Sequence, residues 1–249
     1  MQTAREYAAV AALIAQQFRP GVLTNRTLGS DELQREIAQG SLLYESWPGG
    51  LFLLRQRQKH AVLHYYLTNC HARSAPLLPA DTLVELPHRP GRTDGAEDFF
   101  RSLGFAPLLR RIRLARPALG EKNEPLAPVN EDAGALYHLL TESFDPLTGC
   151  LPSLDEFADD LRAGCVLTHG TYALLRFLAG RTAEIRQLAV SPTLRGQGIA
   201  RALVGRFNHA TAAVRATVWT GADNQTAQHV YQAEGFVPDG WESLVMIRK

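Results

Sequence analysis

The segment that follows Ala183 combines residue types that can hold a phosphate group. It reads AEIRQLAVSPTLRGQGIARALVGRF, and within it a short turn is formed by Arg195, Gly196, Gln197 and Gly198. The first N–H groups of a helix have no partner within the helix, and the helix dipole adds partial positive charge there. Glycine lets the backbone approach a phosphate because it has no Cβ. The pattern therefore predicts an anion site, for which a pyrophosphate is a natural ligand.

The turn is positioned by a candidate strand before it and a candidate helix after it. Residues 184–190 are predicted as the strand, and Pro192 ends it because proline cannot donate to a strand ladder. Ile199, Leu203 and Phe207 recur at helical spacing and give the helix an apolar face. The sequence contains neither a Gly-Lys-Ser/Thr P-loop nor a three-glycine dinucleotide motif, so these two phosphate-binding classes are excluded.

The stretch VSPTLRGQGIA, residues 190–200, resembles the acyl-CoA-binding signature of the GNAT superfamily of N-acetyltransferases. That signature is Arg or Gln, two residues, Gly, one residue, then Gly or Ala, and its positions are occupied by Arg195, Gly198 and Ala200. The resemblance implies that backbone amides of this turn hold the pyrophosphate of acetyl-CoA and that the preceding strand end lies along the pantetheine arm. The cofactor-binding residues implied in this way are Leu188, Ala189, Val190, Arg195, Gly196, Gln197, Gly198, Ile199 and Ala200.

A second stretch, downstream of the turn, agrees with the same family. Asn224, Ala227, Tyr231 and Gly235-Phe236 occur in an order that the family often has. The resemblance implies that Tyr231 protonates the departing CoA thiolate and that Asn224 contacts the cofactor. The alternative interpretations are a helix N-cap for Asn224 and a packed core aromatic for Tyr231.

Glu184 is a candidate general base. It lies at the start of the predicted strand, and its position resembles that of the base glutamate in histone-modifying members of the family. A carboxylate can take a proton from an ammonium group directly or through water when burial raises its pKa toward neutrality. A solvated carboxylate at a strand end is the alternative, in which case water serves as the base.

Three blocks of the N-terminal half recur in the same order in the C-terminal half. The pairs are DELQREIAQG (31–40) with DEFADDLRAG (155–164), LFLLR (51–55) with YALLR (172–176), and FRSLGFAP (100–107) with YQAEGFVP (231–238). Such a series indicates one structural plan used twice. In the first copy Phe100 replaces Tyr231 and has no hydroxyl to donate, and no counterpart of the glycine turn is present.

The resemblance, together with the repeat, implies an α/β fold of tandem GNAT-like domains, each a mixed, splayed β-sheet with helices on both faces. Residues 1–117 are expected to form a degenerate, catalytically silent domain without a cofactor loop, which supports the second domain and shapes the acceptor cleft. Residues 118–127 are expected to be a linker, because the stretch 117–128 is rich in Pro and charge. Residues 128–249 are expected to form the acetyl-CoA-binding catalytic domain.

The composition favours a soluble protein of the cytoplasm. Lys plus Arg (26) nearly balances Asp plus Glu (25), so no strong field attracts nucleic acid or an anionic membrane. The three cysteines form no C-x-x-C pair, and the histidines lack metal-ligand spacing, so no metal is expected. No apolar run is long enough to cross a bilayer.

The predicted activity is direct transfer of an acetyl group from acetyl-CoA to a primary amine, whose class the sequence leaves open. Two alternatives belong to other classes. One is a non-catalytic module that senses acyl-CoA. The other is an aminoacyl-tRNA-dependent transferase, since such enzymes also use paired GNAT-like domains, although the near-zero net charge weighs against it.

Overall fold

The computed structural model describes residues 1–25, 29–57, 59–70, 78–90, 95–117, 131–211 and 213–249. The chain divides into two compact units. Unit 1 comprises Met1–Arg111 together with Trp241–Lys249, and unit 2 comprises Ile112–Gly240. The predicted linker, 118–127, lies outside the described residues. Residues 241–249, expected from the sequence in the second domain, belong to unit 1.

The described residues contain strands and helices in a mixed order. The strands are β1 (Gln2–Thr3), β2 (Leu23–Thr24), β3 (Leu42–Trp47), β4 (Gly50–Gln56), β5 (Ala61–Leu67), β6 (Thr82–His88), β7 (Phe105–Pro117), β8 (Val166–Thr168), β9 (Ala173–Leu178), β10 (Thr182–Val190), β11 (Arg215–Gly221) and β12 (Val237–Arg248). The α-helices are α1 (Tyr7–Gln17), α2 (Ser30–Ala38), α3 (Ala96–Ser102), α4 (Ala133–Ser143), α5 (Leu154–Arg162), α6 (Ile199–Ala210) and α7 (Gln225–Ala233). None of the helices that the structure describes is both long and apolar enough to cross a membrane.

Unit 1 is built on a mixed sheet with the strand order β1-β3-β4-β5-β6-β12. Its neighbouring strands are antiparallel except β5 and β6, which are parallel and pair only from Ala61–Leu63 to Thr82–Val84. Residues 242–248 of β12 pair with β6, which explains why the end of the chain belongs to this unit. Helices cover both faces: Val10 of α1 and Leu33 of α2 lie in one core cluster, and Phe100 of α3 lies in another.

Unit 2 has the strand order β7-β11-β10-β9-β8, also in a mixed sheet. Strands β8, β9 and β10 are antiparallel, whereas β10 and β11 are parallel. That parallel pairing joins Thr182–Ile185 to Arg215–Val218 and ends there, although β10 continues to Val190. Helices α6 and α7 pack on one core cluster, and α4 and α5 pack on another. The predicted fold class, a mixed and splayed sheet with helices on both faces, is therefore confirmed.

An ion pair between helix and strand recurs in the two units. In unit 1 the guanidinium of Arg55 on β4 contacts Glu36 on α2 at 2.5 Å. In unit 2 the guanidinium of Arg176 on β9 contacts Asp160 on α5 at 2.5 Å. Both pairs join matching positions of the repeated blocks, so the similarity read from sequence extends to side-chain contacts.

The third repeated block also has the same backbone in both units. Gly104 and Gly235 follow their helices with φ of 83° and 84°, a region that favours glycine. The next residues, Phe105 and Phe236, are both buried. The helix–glycine–strand corner is therefore one structural element used twice.

Candidate functional site

The predicted anion turn is an exposed loop between β10 and α6. A single 3-10 turn, Pro192–Leu194, follows the strand, and Gly198 is the N-cap of α6. Gly196 and Gly198 have φ of 78° and 79°, and a Cβ built on either residue would meet no atom within 4 Å. Both glycines therefore bend the chain with a left-handed conformation and leave open space in front of the backbone.

The amides of this turn have no acceptor in the part of the chain that the structure describes. The N–H groups of Gly196, Gln197 and Gly198 appear in no backbone or side-chain hydrogen bond there. The first bond of α6 runs from the N–H of Ala202 to the carbonyl of Gly198, so the amides of residues 199–201 precede the helical ladder. A row of unpaired, exposed N–H groups at a helix N-terminus is an arrangement suited to a diphosphate.

The strand end that leads into the turn has one unpaired edge. Leu188, Ala189 and Val190 pair with residues 173–175 of β9 on one side. The ladder with β11 on the other side has already ended. Arg195 folds back from the turn, and its Nε donates to the carbonyl of Val190 at 3.1 Å. The structure thus brings the predicted strand end and the predicted turn together where β10 separates from β11.

Tyr231 lies on α7 and is 5% exposed. Burial raises the pKa of its hydroxyl far above the usual range, so the group stays protonated at neutral pH. Leu188, Val190 and Ile199, from the strand end and from the start of α6, pack against the same core cluster as Tyr231. A protonated hydroxyl in this position can serve as a proton donor.

Glu184 is half-buried and ion-paired. It lies on β10, where Nη1 of Arg186 donates to its Oε1 at 2.6 Å. The two residues are two positions apart on β10, and this bond brings their side chains together at the register shift between Ile185 and Gln187. For Glu184 to accept a proton from an amine, its carboxylate has to share this contact or break it.

Asn224 is the N-cap of α7. Its Oδ1 accepts a hydrogen bond from the N–H of Ala227 at 3.1 Å. The capping interpretation therefore describes what this oxygen does in the structure. The exposed amide nitrogen of Asn224 is the group left to carry the predicted cofactor contact.

Gln187 is 1% exposed and is not among the site residues predicted from the sequence. Its Oε1 accepts from Nη1 of Arg176 at 2.9 Å, and its Nε2 donates to the carbonyls of Gly149 (2.9 Å) and Cys150 (3.1 Å). The register of β10 against β9 shifts between Ile185 and Gln187, so strict alternation fails there. The sequence signal that could have identified Gln187 is a polar amide next to the apolar end of the predicted strand.

Among the residues that the structure describes, no group of three or more His, Cys, Asp or Glu side chains could hold a metal ion.

Comparison with known proteins matches this region to the GNAT acetyltransferase domain. The domain family covers residues 158–238, which span α5 to the start of β12. That range includes the turn, Glu184, Asn224 and Tyr231, and it supports acyl transfer in general. No curated protein matches the chain in sequence.

Solved structures of low sequence identity share the fold. A GNAT-family acetyltransferase from Colwellia psychrerythraea has a TM-score of 0.59 at 13% identity, with 99% of this chain and 98% of that chain covered. A GCN5-related N-acetyltransferase from Sphaerobacter thermophilus has a TM-score of 0.56 at 16% identity, with 99% and 94% covered. A tandem GNAT protein from the clavulanic acid biosynthesis pathway has a TM-score of 0.52 at 12% identity, with 83% and 82% covered.

Proposed function

Because residues 158–238 belong to the GNAT acetyltransferase domain family, we propose that this protein is an acetyl-CoA-dependent N-acetyltransferase acting on a primary amine. The observation that carries the proposal is the row of unpaired amides at Gly196, Gln197 and Gly198, followed by the open N-terminus of α6. These groups match the charge and the hydrogen-bond acceptors of the CoA diphosphate.

The strand end supports binding of the rest of the cofactor. The strand end 188–190 has main-chain groups on the edge that β11 does not cover, although the Val190 carbonyl accepts from Arg195. An extended pantetheine arm with its two amides can pair with the remaining groups as a strand would. The acetyl group would then lie near the point where β10 and β11 separate. Glu184 lies on β10 one residue before its pairing with β11 ends, and Tyr231 belongs to the core cluster against which Leu188 and Val190 pack.

The proposed reaction is a direct transfer. The amine nitrogen attacks the thioester carbonyl, so a C–N bond forms and the C–S bond breaks. Tyr231 donates its hydroxyl proton to the departing thiolate, and the proton lost by the amine goes to Glu184 or to a water molecule. Holding both partners where β10 and β11 separate reduces the entropy cost of bringing them together.

The anion turn is tested with two substitutions of one glycine. Gly198→Asn and Gly198→Asp add side chains of nearly the same size, so they share the backbone strain at φ of 79°, but only aspartate adds negative charge. Gly198→Asp is expected to weaken acetyl-CoA binding about 100-fold more than Gly198→Asn, measured by calorimetry. Gly240→Asp is the control, because Gly240 has a φ of 77° and open space around it. Equal affinities for the two Gly198 variants would overturn the proposal.

The ion pair between Arg186 and Glu184 favours one alternative, a non-catalytic module that binds acyl-CoA, because it occupies the candidate base. The two functions differ in turnover. An acetyltransferase releases free CoA thiol when acetyl-CoA is mixed with a panel of amines that includes peptides, polyamines and aminoglycosides. A binding module takes up acetyl-CoA and releases no thiol with any of them.

A further inference from the structure

Unit 1 contains an opening between two strands that corresponds to the one in unit 2. Strands β5 and β6 pair from Ala61–Leu63 to Thr82–Val84, and β5 then continues to Leu67 without β6 beside it. In unit 2 the parallel pair β10 and β11 separates in the same way after Ile185. Each unit therefore has a parallel strand pair that starts together and then opens.

The strand registers show which residues correspond. The repeated block aligns Leu54 of β4 with Leu175 of β9, and Leu54 pairs with Leu63 while Leu175 pairs with Leu188. Leu63 is therefore the counterpart of Leu188. Two residues further along, Tyr65 pairs with Phe52 and Val190 pairs with Ala173. The repeated block aligns Phe52 with Ala173, so Tyr65 is the counterpart of Val190.

The opening in unit 1 is filled by the chain itself. Strand β2 pairs antiparallel with β5, Leu23 against Leu67 and Thr24 against Tyr66. Because β4 covers the other edge of β5 along its whole length, β2 lies on the edge that β6 leaves free.

Asn25 continues this contact with its side chain. Its Nδ2 donates to the carbonyl of Leu63 at 2.8 Å, and its Oδ1 accepts from the N–H of Tyr65 at 3.1 Å. A carboxamide that bonds the C=O of one residue and the N–H of the second residue after it imitates a neighbouring strand. Asn25 makes these bonds at the counterparts of Leu188 and Val190.

We propose that residues 23–25 are a built-in occupant of the cofactor groove of unit 1, with the Asn25 carboxamide in the place of a pantetheine amide. Unit 1 is then closed to acyl-CoA by its own chain, and the protein binds one acyl-CoA, in unit 2. The comparison between units rests on the proposed function of unit 2. The closure of the groove rests on the contacts of unit 1 alone.

The closure is tested by amide hydrogen exchange of the cofactor-free protein. Asn25→Leu has a similar size and removes both bonds, so exchange at the Tyr65 amide is expected to rise about tenfold or more. Asn25→Asp keeps the acceptor for Tyr65 and loses the donor to Leu63, so it should give a smaller rise. Thr24→Val is the matched control. The Thr24 hydroxyl is buried and has no hydrogen-bond partner among the described residues, so this substitution changes the neighbouring side chain without removing a hydrogen bond. The proposal fails if Asn25→Leu and Thr24→Val leave Tyr65 equally protected.

The stoichiometry is tested by titrating acetyl-CoA. One mole per mole of chain is expected for the wild type, and the same single site with weaker affinity for Gly198→Asp. Two moles for either protein would contradict the closed groove. No binding at all by the wild type would instead contradict the proposed function of unit 2, and hydrogen exchange at Tyr65 would then decide the closure of unit 1 by itself.

Discussion

Tyr231 and Phe100 occupy the same place in the two units and differ by one hydroxyl group. Both are buried, and each ring lies near the phenylalanine that follows its glycine corner, at 5.9 Å for Tyr231 with Phe236 and 5.4 Å for Phe100 with Phe105. Packing alone therefore accepts a phenylalanine at this position. Burying the Tyr231 hydroxyl in unit 2 carries a desolvation free-energy cost, and its presence there is consistent with a chemical role.

We predict that Tyr231→Phe lowers kcat about 100-fold and leaves the KM for acetyl-CoA nearly unchanged, because a proton donor is lost and no binding group is. Burial raises the pKa of Tyr231, so the hydroxyl stays protonated through the range where a free tyrosine ionises. The wild-type rate should then show no loss from this group up to about pH 10. Steady-state kinetics across pH measure both effects. Tyr44→Phe, in unit 1, is the control, and equal turnover of Tyr231→Phe and the wild type would exclude the acid role.

Gln187 connects β10 to the loop between α4 and α5. We predict that Gln187→Leu lowers the free energy of unfolding by about 1–3 kcal/mol, because two carbonyls and one arginine lose a buried partner. If that loop shapes the acceptor site, kcat/KM for the amine should also fall about tenfold or more, with acetyl-CoA affinity preserved.

Gln228→Leu is the matched control for Gln187→Leu. The Nε2 of Gln228 also donates to two loop carbonyls, those of Gly221 and Ala222. It should therefore lose similar stability without changing the KM for the amine. Equal amine kinetics for the two variants would show that Gln187 has only a structural role.

At the scale of elements, the spacing of apolar residues along the sequence predicted α5, α6 and β9, because each of them buries one continuous apolar surface. Leu203, Val204 and Phe207 of α6 are buried as the helical spacing requires. The shift in β10 was not predictable, since a bulge depends on the partner strand and leaves no local pattern. That is why Gln187 was missed although Glu184 beside it was identified.

The two roles of Asn224 can be separated at the N-cap of α7. Asn224→Asp keeps an oxygen that caps the helix, whereas Asn224→Ala removes the cap and should cost about 1 kcal/mol of stability. If the amide nitrogen also contacts the cofactor, Asn224→Asp should weaken acetyl-CoA binding several-fold while the thermal midpoint stays at the wild-type value. Wild-type affinity in the aspartate variant would leave capping as the sole role of Asn224. Thermal melts and calorimetry give the two readouts.

At the scale of the whole molecule, the two units are not consecutive in sequence. Residues 241–249 belong to unit 1, where Leu244 and Met246 are buried in its core. Unit 2 begins at Ile112, and Leu114 of β7 is fully buried in its core. Residues 241–249 are expected from the sequence in the second domain, because nothing local in β12 indicates that its partner is β6, about 160 residues away.

This division predicts the behaviour of fragments. Fragment 118–249, cut at the predicted linker, lacks residues 112–117 and so loses Leu114 from the core of unit 2. Truncating a buried leucine lowers the free energy of unfolding by about 2–5 kcal/mol, and removing the whole segment costs at least that much. That is a large fraction of the stability of an ordinary domain. The fragment also retains a strand whose partner, β6, is missing, and unpaired apolar strands aggregate.

We therefore expect fragment 118–249 to show no cooperative thermal transition and no acetyl-CoA binding. Fragment 112–240 contains all of unit 2 and should melt cooperatively and bind acetyl-CoA, because it keeps Leu114 and the contact of Arg113 with Asp239. Circular dichroism melts and calorimetry on the two fragments measure these outcomes. If fragment 118–249 folds and acetylates the native amine as fast as the full chain, the N-terminal half neither supports the catalytic unit nor shapes its acceptor cleft.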